Sequence, residues 1–151
     1  MQTAIEKERE ALLIALLSEK MHAQGGQLSF ADYMSLVLYH PAYGYYQRHT
    51  LPMGRRGDFV TAPEISPLFA DCLAQSVATS LRYLNSAECI EYGAGSGQLA
   101  IDLFNALKQQ GVLIQRYIII ELSDSLKTMQ MRAIEAALPN EHHKFVWLSS
   151  P

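Results

Sequence analysis

Apolar and polar positions alternate differently in the two parts of this chain. From Ala4 to about Gln24, Ile5, Leu12, Leu13, Leu16, Leu17 and Met21 recur at helical spacing and Gly25-Gly26 ends the pattern, which predicts an amphipathic first helix. Ser29 and Asp32 form a capping pair for a second helix, which Pro41 and Gly44 must close by about Tyr39. From Tyr39 to Ser66 no period is sustained, and Pro41, Gly44, Pro52, Gly54, Gly57 and Pro63 punctuate one long irregular segment. Long loops in compact domains tend to be functional, so residues 39–66 are expected to contribute to a site. Ser66-Pro67 then restarts a helix with Leu68, Phe69, Cys72, Leu73, Val77, Leu81 and Leu84 as its apolar face and an end near Leu84.

Beyond that helix the pattern becomes an alternation of short strands and helices. Strands are expected at Glu88 to Tyr92, Arg116 to Glu121 and Lys144 to Leu148. Helices from about Gln98 to Gln110, closed by Gly111, and from about Ser125 to Leu138 separate them. Strand-helix-strand-helix-strand with short connections implies a parallel sheet with right-handed crossovers. The expected fold class is α/β: a βαβαβ half-sheet over residues 85–151, preceded by a helical segment over residues 1–84 that carries the loop 39–66.

Composition narrows the function classes. The chain has 151 residues, 49% apolar and 18% charged, room for one ordinary globular domain. A net charge of −3 disfavours a nucleic-acid partner, which usually demands a basic excess. The longest apolar run, Ala11 to Leu17, is far short of the roughly 20 residues that span a bilayer, so no membrane partner is expected. Glu6, Lys7, Glu8, Arg9 and Glu10 form a mixed-charge start unlike a secretory signal or an acid-poor transit peptide, and point to a cytoplasmic protein. Cys72 and Cys89 lack metal-ligand spacing and read as reduced, buried thiols, and the adjacent His142 and His143 do not share a helix face; no metal site is expected.

The strongest chemical signal is Glu91-Tyr92-Gly93-Ala94-Gly95-Ser96-Gly97, where the first strand turns into its helix. Glycines at alternate positions permit a tight turn and leave no Cβ between backbone and ligand. Ligands of open parallel sheets bind at the carboxyl ends of strands, where this motif lies. It is not a phosphate-binding P-loop, because no Gly-Lys pair follows at the required distance. It also departs from the dinucleotide pattern GxGxxG, since the third glycine position is Gln98. A second carboxylate, Glu121, stands at the end of the next strand, where it can accept hydrogen bonds from both hydroxyls of a ribose. The structural alternative is that the glycine-rich stretch is only a strand-to-helix turn and that Glu121 is a solvated strand end.

The pattern acidic-x-GxGxG resembles the first motif of class I S-adenosylmethionine-dependent methyltransferases. The loop Gly57-Asp58-Phe59-Val60-Thr61-Ala62-Pro63-Glu64-Ile65-Ser66, with Leu38-Tyr39-His40-Pro41, Gly44-Tyr45-Tyr46 and Glu121-Leu122-Ser123, is similar to the MidA-like family within that class. This family includes a mitochondrial complex I assembly arginine methyltransferase. The resemblance runs from about Ser29 to the C terminus. It implies a Rossmann-like fold, S-adenosylmethionine as cofactor and a protein acceptor, with arginine the acceptor residue and a subunit of a respiratory-type complex one candidate partner. It further implies that Glu91, Gly93, Gly95, Gly97, Glu121, Leu122 and Ser123 contact cofactor, and that the loop from Asp58 to Glu64, with Thr61 and Pro63, closes over it.

Asp58 and Glu64 are the carboxylates of that loop and the candidates for gripping a guanidinium. Their structural alternatives are a turn cap and a helix entrance. Tyr39, Tyr43, Tyr45 and Tyr46 could stack on a ligand or pack the loop. Family members continue past the third strand to a part facing the acceptor, so a truncated half-fold without acceptor site or independent activity is expected. The family's sheet order also leaves the strand 88–92 as an open edge, which predicts self-association. Two other functions compete. A non-catalytic assembly module that retains the fold would have no need of Glu121, and a nicotinamide oxidoreductase would want glycine in place of Gln98.

Overall fold

The computed structural model describes residues 4–47, 57–84 and 88–149. The chain forms two compact units, Met1–His49 and Thr50–Pro151.

Among the described residues the first unit holds helices α1 (Ala4–Ala23) and α2 (Phe30–Tyr39) and a 3-10 turn at Tyr45–Gln47. Ser29 caps α2 as its spacing implied: its hydroxyl accepts from the Asp32 amide at 3.1 Å and donates to the Asp32 carboxylate at 2.7 Å. None of the residues of α1 is buried, so its apolar spacing does not become a core stripe. A polar clamp fixes it instead: Arg9 donates through Nη2 to the Gly44 carbonyl at 2.6 Å and through Nε to the Tyr43 carbonyl at 3.1 Å. Gly44 is obligatory by space, because a Cβ there would lie 2.5 Å from the His40 nitrogen. The tyrosines pack on one another, Tyr46 meeting Tyr39 and Tyr45 with ring centroids 5.5 and 5.1 Å apart.

The second unit contains α3 (Ala62–Ile65), α4 (Leu68–Leu81), β1 (Glu88–Tyr92), α5 (Gln98–Gln109), β2 (Arg116–Ile120), α6 (Asp124–Ala137) and β3 (Phe145–Leu148), with a 3-10 turn at His142–Lys144 before β3. The expected segment 39–66 is therefore not irregular throughout: it holds the turn at Tyr45–Gln47 and the short α3, while residues 48–56 lie outside the described residues. Pro63 causes no break because it sits in the first turn of α3, where its missing N–H has no helical partner to lose.

Two expectations about α4 are corrected. It ends at Leu81 rather than Leu84, and its buried face is Ala70, Ala74 and Ala78 with Leu81, while Leu73 and Val77 of the expected face are only partly buried against the core. Leu68, Phe69 and Leu84 are exposed, and so is Cys72, which was expected to be buried. The reason is close approach: alanines at every fourth position let α4 lie against the side chains of α5, among them Ala100, Leu103, Phe104 and Leu107 in the same core.

The three strands form a parallel sheet in the order β1-β2-β3, with Glu91 opposite Ile119 and Tyr92 opposite Ile120. Tyr117, Ile119 and Phe145 join the core shared with α4, α5 and α6, and Phe145 stacks on Tyr117 at 5.2 Å. On β1 the alternate residues Ile90 and Tyr92 are exposed, and among the described residues β1 pairs only with β2.

Candidate functional site

All three glycines of the turn after β1 adopt positive φ, 65° at Gly93, 57° at Gly95 and 85° at Gly97, a conformation that L side chains rarely tolerate. The turn is anchored at its start by the Gly93 amide, which donates to the Ile120 carbonyl at 2.9 Å, so the ends of β1 and β2 are tied together. At its end Gly97 enters α5 without a capping side chain of its own, and Ser96 takes that task, its hydroxyl accepting from the Gln98 amide at 3.2 Å. Space above the turn is open at Gly93, where an added Cβ would meet nothing within 4 Å.

Glu91 precedes the turn on β1. Its carboxylate accepts from the Tyr117 hydroxyl at 2.7 Å. Burial pushes the Glu91 carboxyl above its usual range, and the Tyr117 bond opposes that rise. The Tyr117 hydroxyl itself is pushed far up, by burial first and by the Glu91 charge second. Burial likewise raises the Cys89 thiol, with the Glu91 charge adding to it.

Glu121 follows β2 and is buried. Its backbone extends the ladder, the amide donating to the Leu148 carbonyl at 2.9 Å. Its Oε1 accepts from the Ser123 amide at 2.9 Å and its Oε2 from Gln130 Nε2 at 2.9 Å. The same Gln130 nitrogen donates to the Gly95 carbonyl at 3.0 Å, and Gln130 Oε1 accepts from the Trp147 indole at 3.0 Å. The carboxyl end of the sheet is thus closed by one polar network that includes the glycine turn, Glu121, α6 and β3.

The sequence candidates are distributed around this network. Gly95 and Glu121 belong to it directly. Ser123 is fully buried beside it and caps α6, its hydroxyl accepting from the Leu126 amide at 3.2 Å. Leu122 between them is half exposed. Glu64 is brought to the glycine turn, where its carboxylate accepts a hydrogen bond from the Ser96 hydroxyl. Thr61 occupies the N-cap of α3 without a side-chain cap bond, Pro63 lies in its first turn, and Asp58 sits in the bend before it. Sequence reasoning missed Ser96, Tyr117, Gln130 and Trp147. Gln130 had left a signal, being a polar residue at the helical spacing of the buried Leu126 and Ile134.

A family described as "Putative S-adenosyl-L-methionine-dependent methyltransferase" matches residues 72–151. "Protein arginine methyltransferase NDUFAF7, mitochondrial" of Rattus norvegicus is 32% identical over 124 residues, 77% of this chain and 28% of that protein. The Bos taurus protein of the same name is 33% identical over 129 residues, 78% of this chain and 28% of its own length. A crystal structure of a Burkholderia thailandensis protein bound to S-adenosyl-homocysteine superposes with a TM-score of 0.87 at 37% identity, covering 99% of this chain and 40% of that one. The chain therefore matches 28% of the length of these curated relatives. The expectation of a cytoplasmic protein is overturned, because these relatives are named as mitochondrial. A mixed-charge segment of ten residues speaks only about itself and carries no information on where the protein resides.

Proposed function

This chain belongs to the family of S-adenosyl-L-methionine-dependent methyltransferases, and on that premise we propose that it supplies the cofactor site of an enzyme that methylates arginine in a protein. The observation that carries the reading is Glu121, a buried carboxylate at a strand end with each oxygen holding one N–H donor. A carboxylate oxygen accepts two hydrogen bonds, so each retains a lone pair for one hydroxyl of a ribose. The positive-φ turn at Gly93, Gly95 and Gly97, with open space above Gly93, suits a nucleoside lying against bare backbone. These residues fit S-adenosylmethionine.

When bound, that group supplies a methyl already activated on a sulfonium, so the protein's part is to orient and to exclude water. In this reading Glu121 takes the ribose, and Gly93, Gly95 and Gly97 pass beneath the nucleoside. Glu91 faces the methionine portion, and Leu122 and Ser123 flank the adenosine. Thr61, Pro63 and Glu64 bring α3 over the site, and Asp58 and Glu64 are the carboxylates available to a guanidinium. The name of the relatives, protein arginine methyltransferase, supports the choice of acceptor.

Calorimetric titration with S-adenosylhomocysteine tests the cofactor reading, which predicts saturable one-to-one binding; absence of heat at millimolar ligand would overturn it. Radiolabelled methyl transfer to protein extracts tests the acceptor: label recovered as methylarginine supports it, and label on another residue refutes it. We further propose that the 151-residue chain by itself self-associates through β1, whose Ile90 and Tyr92 are exposed. Light scattering across a concentration series should show mass rising with concentration, and a monodisperse monomer would refute it.

A further inference from the structure

Gln130 lies on the buried stripe of α6 between Leu126 and Ile134 and has no exposed surface. A buried amide is tolerated when its donors and acceptor are matched, and here they are matched by groups that cannot exchange roles. The Trp147 indole can only donate, while the Glu121 carboxylate and the Gly95 carbonyl can only accept. Trp147 therefore claims Oε1 at 3.0 Å and turns Nε2 toward Glu121 at 2.9 Å and Gly95 at 3.0 Å. The three partners stand after β1, after β2 and on β3. Gly97 leans on the same side chain, since a Cβ there would sit 3.6 Å from Gln130 Cγ.

We propose that Gln130, set by Trp147, is a positioning residue that locks the Glu121 carboxylate against the glycine turn and so makes the site selective for a ribose bearing both hydroxyls. The proposal rests on the cofactor reading above. With Oε1 pinned by the Ser123 amide and Oε2 by Gln130, the carboxylate plane cannot rotate and its remaining lone pairs keep fixed directions. The terminal torsion of a glutamate is otherwise broad, and two adjacent hydroxyls are met together only by a fixed plane. The Gly95 carbonyl bond holds the turn at a constant distance from that plane.

The test compares the affinities of S-adenosylhomocysteine and its 2′-deoxy analogue for the unmodified protein, for Gln130→Met, which keeps length and loses both donors, and for Trp147→Phe, which leaves Gln130 but frees its amide to turn. The unmodified protein should prefer the ribose ligand by about tenfold or more, as a site built to bond a hydroxyl does. Gln130→Met should bind S-adenosylhomocysteine about tenfold more weakly with little change for the deoxy analogue, so that the preference collapses, and Trp147→Phe should fall between. Where Gln130→Met does not fold, the preference ratio of Trp147→Phe decides. Equal weakening of both ligands, or an unchanged preference, would overturn the proposal and leave Gln130 a structural residue. Failure of the unmodified protein to bind S-adenosylhomocysteine would instead remove the cofactor reading, and this inference with it.

Discussion

The Ser96 hydroxyl donates to the Glu64 carboxylate, so a residue of the glycine turn holds the short helix α3 by a hydrogen bond to a charged group. Ser96 also accepts from the Gln98 amide at 3.2 Å, which makes one hydroxyl both the cap of α5 and the latch of the 57–66 segment. Hydrogen bonds to charged groups contribute roughly 1.5–3 kcal/mol when both partners are in place.

Ser96→Ala should release this latch without disturbing the sheet. Amide hydrogen exchange at Glu64 and Ser66, whose N–H groups bond to the Thr61 and Ala62 carbonyls, should quicken, by about tenfold for roughly 1.4 kcal/mol of local stability, while the amides of β1 and β2 keep their protection. Unchanged exchange in α3 would show that its apolar contacts hold it alone.

Glu121→Ala should abolish binding of S-adenosylhomocysteine and also weaken the fold. The fold cost arises because the Ser123 amide and Gln130 each lose an acceptor at 2.9 Å. A buried donor left unmatched costs about 1–3 kcal/mol, which denaturant unfolding would read as a lower midpoint at unchanged slope. Retained affinity in a folded variant would take Glu121 out of the site.

Glu91→Gln separates stability from binding. Burial raises the Glu91 carboxyl pKa, so its favourable contribution is complete below the ordinary value of 4.5 and is lost as pH rises through the folded value. Glutamine still accepts from Tyr117 and carries no charge. The variant's thermal midpoint at pH 7 should equal or exceed that of the unmodified protein, with the gap closing in acid, while cofactor affinity falls. A lower midpoint at pH 7 would mean that the ionised carboxylate stabilises the fold.

Glu141 behaves with the opposite sign. Hydrogen bonds from Lys108 at 2.7 Å and Lys144 at 2.8 Å hold its carboxyl down at about 2, against an ordinary 4.5. The contribution is therefore present above pH 4.5 and lost as pH falls through about 2. Thermal midpoints of the unmodified protein and Glu141→Gln should differ by a constant amount above about pH 5 and converge below it, and salt should narrow the gap because both lysines reach solvent. A gap as large at pH 2 as at pH 7 would contradict this assignment.

Residue order alone settled a good deal. The alternation of period-2 and period-3.6 stretches after residue 85 placed the three strands and two helices to within about two residues, because each of those elements has one face turned to the core. The spacing of Glu91, the three glycines and Glu121 placed a positive-φ turn and a strand-end carboxylate at the carboxyl end of the sheet, since both are local properties of the chain. Tertiary structure alone decided the rest. The buried face of α4 is its alanine row with Leu81, because the distance to α5 is set by the small residues and not by the largest apolar ones. Glu121 is a pinned carboxylate because Gln130, nine residues on, and Trp147, on another strand, meet it in space. Hydrogen bonds between remote residues leave no period in a sequence, and a glutamine amide takes its direction only from the groups that the fold brings to its two ends.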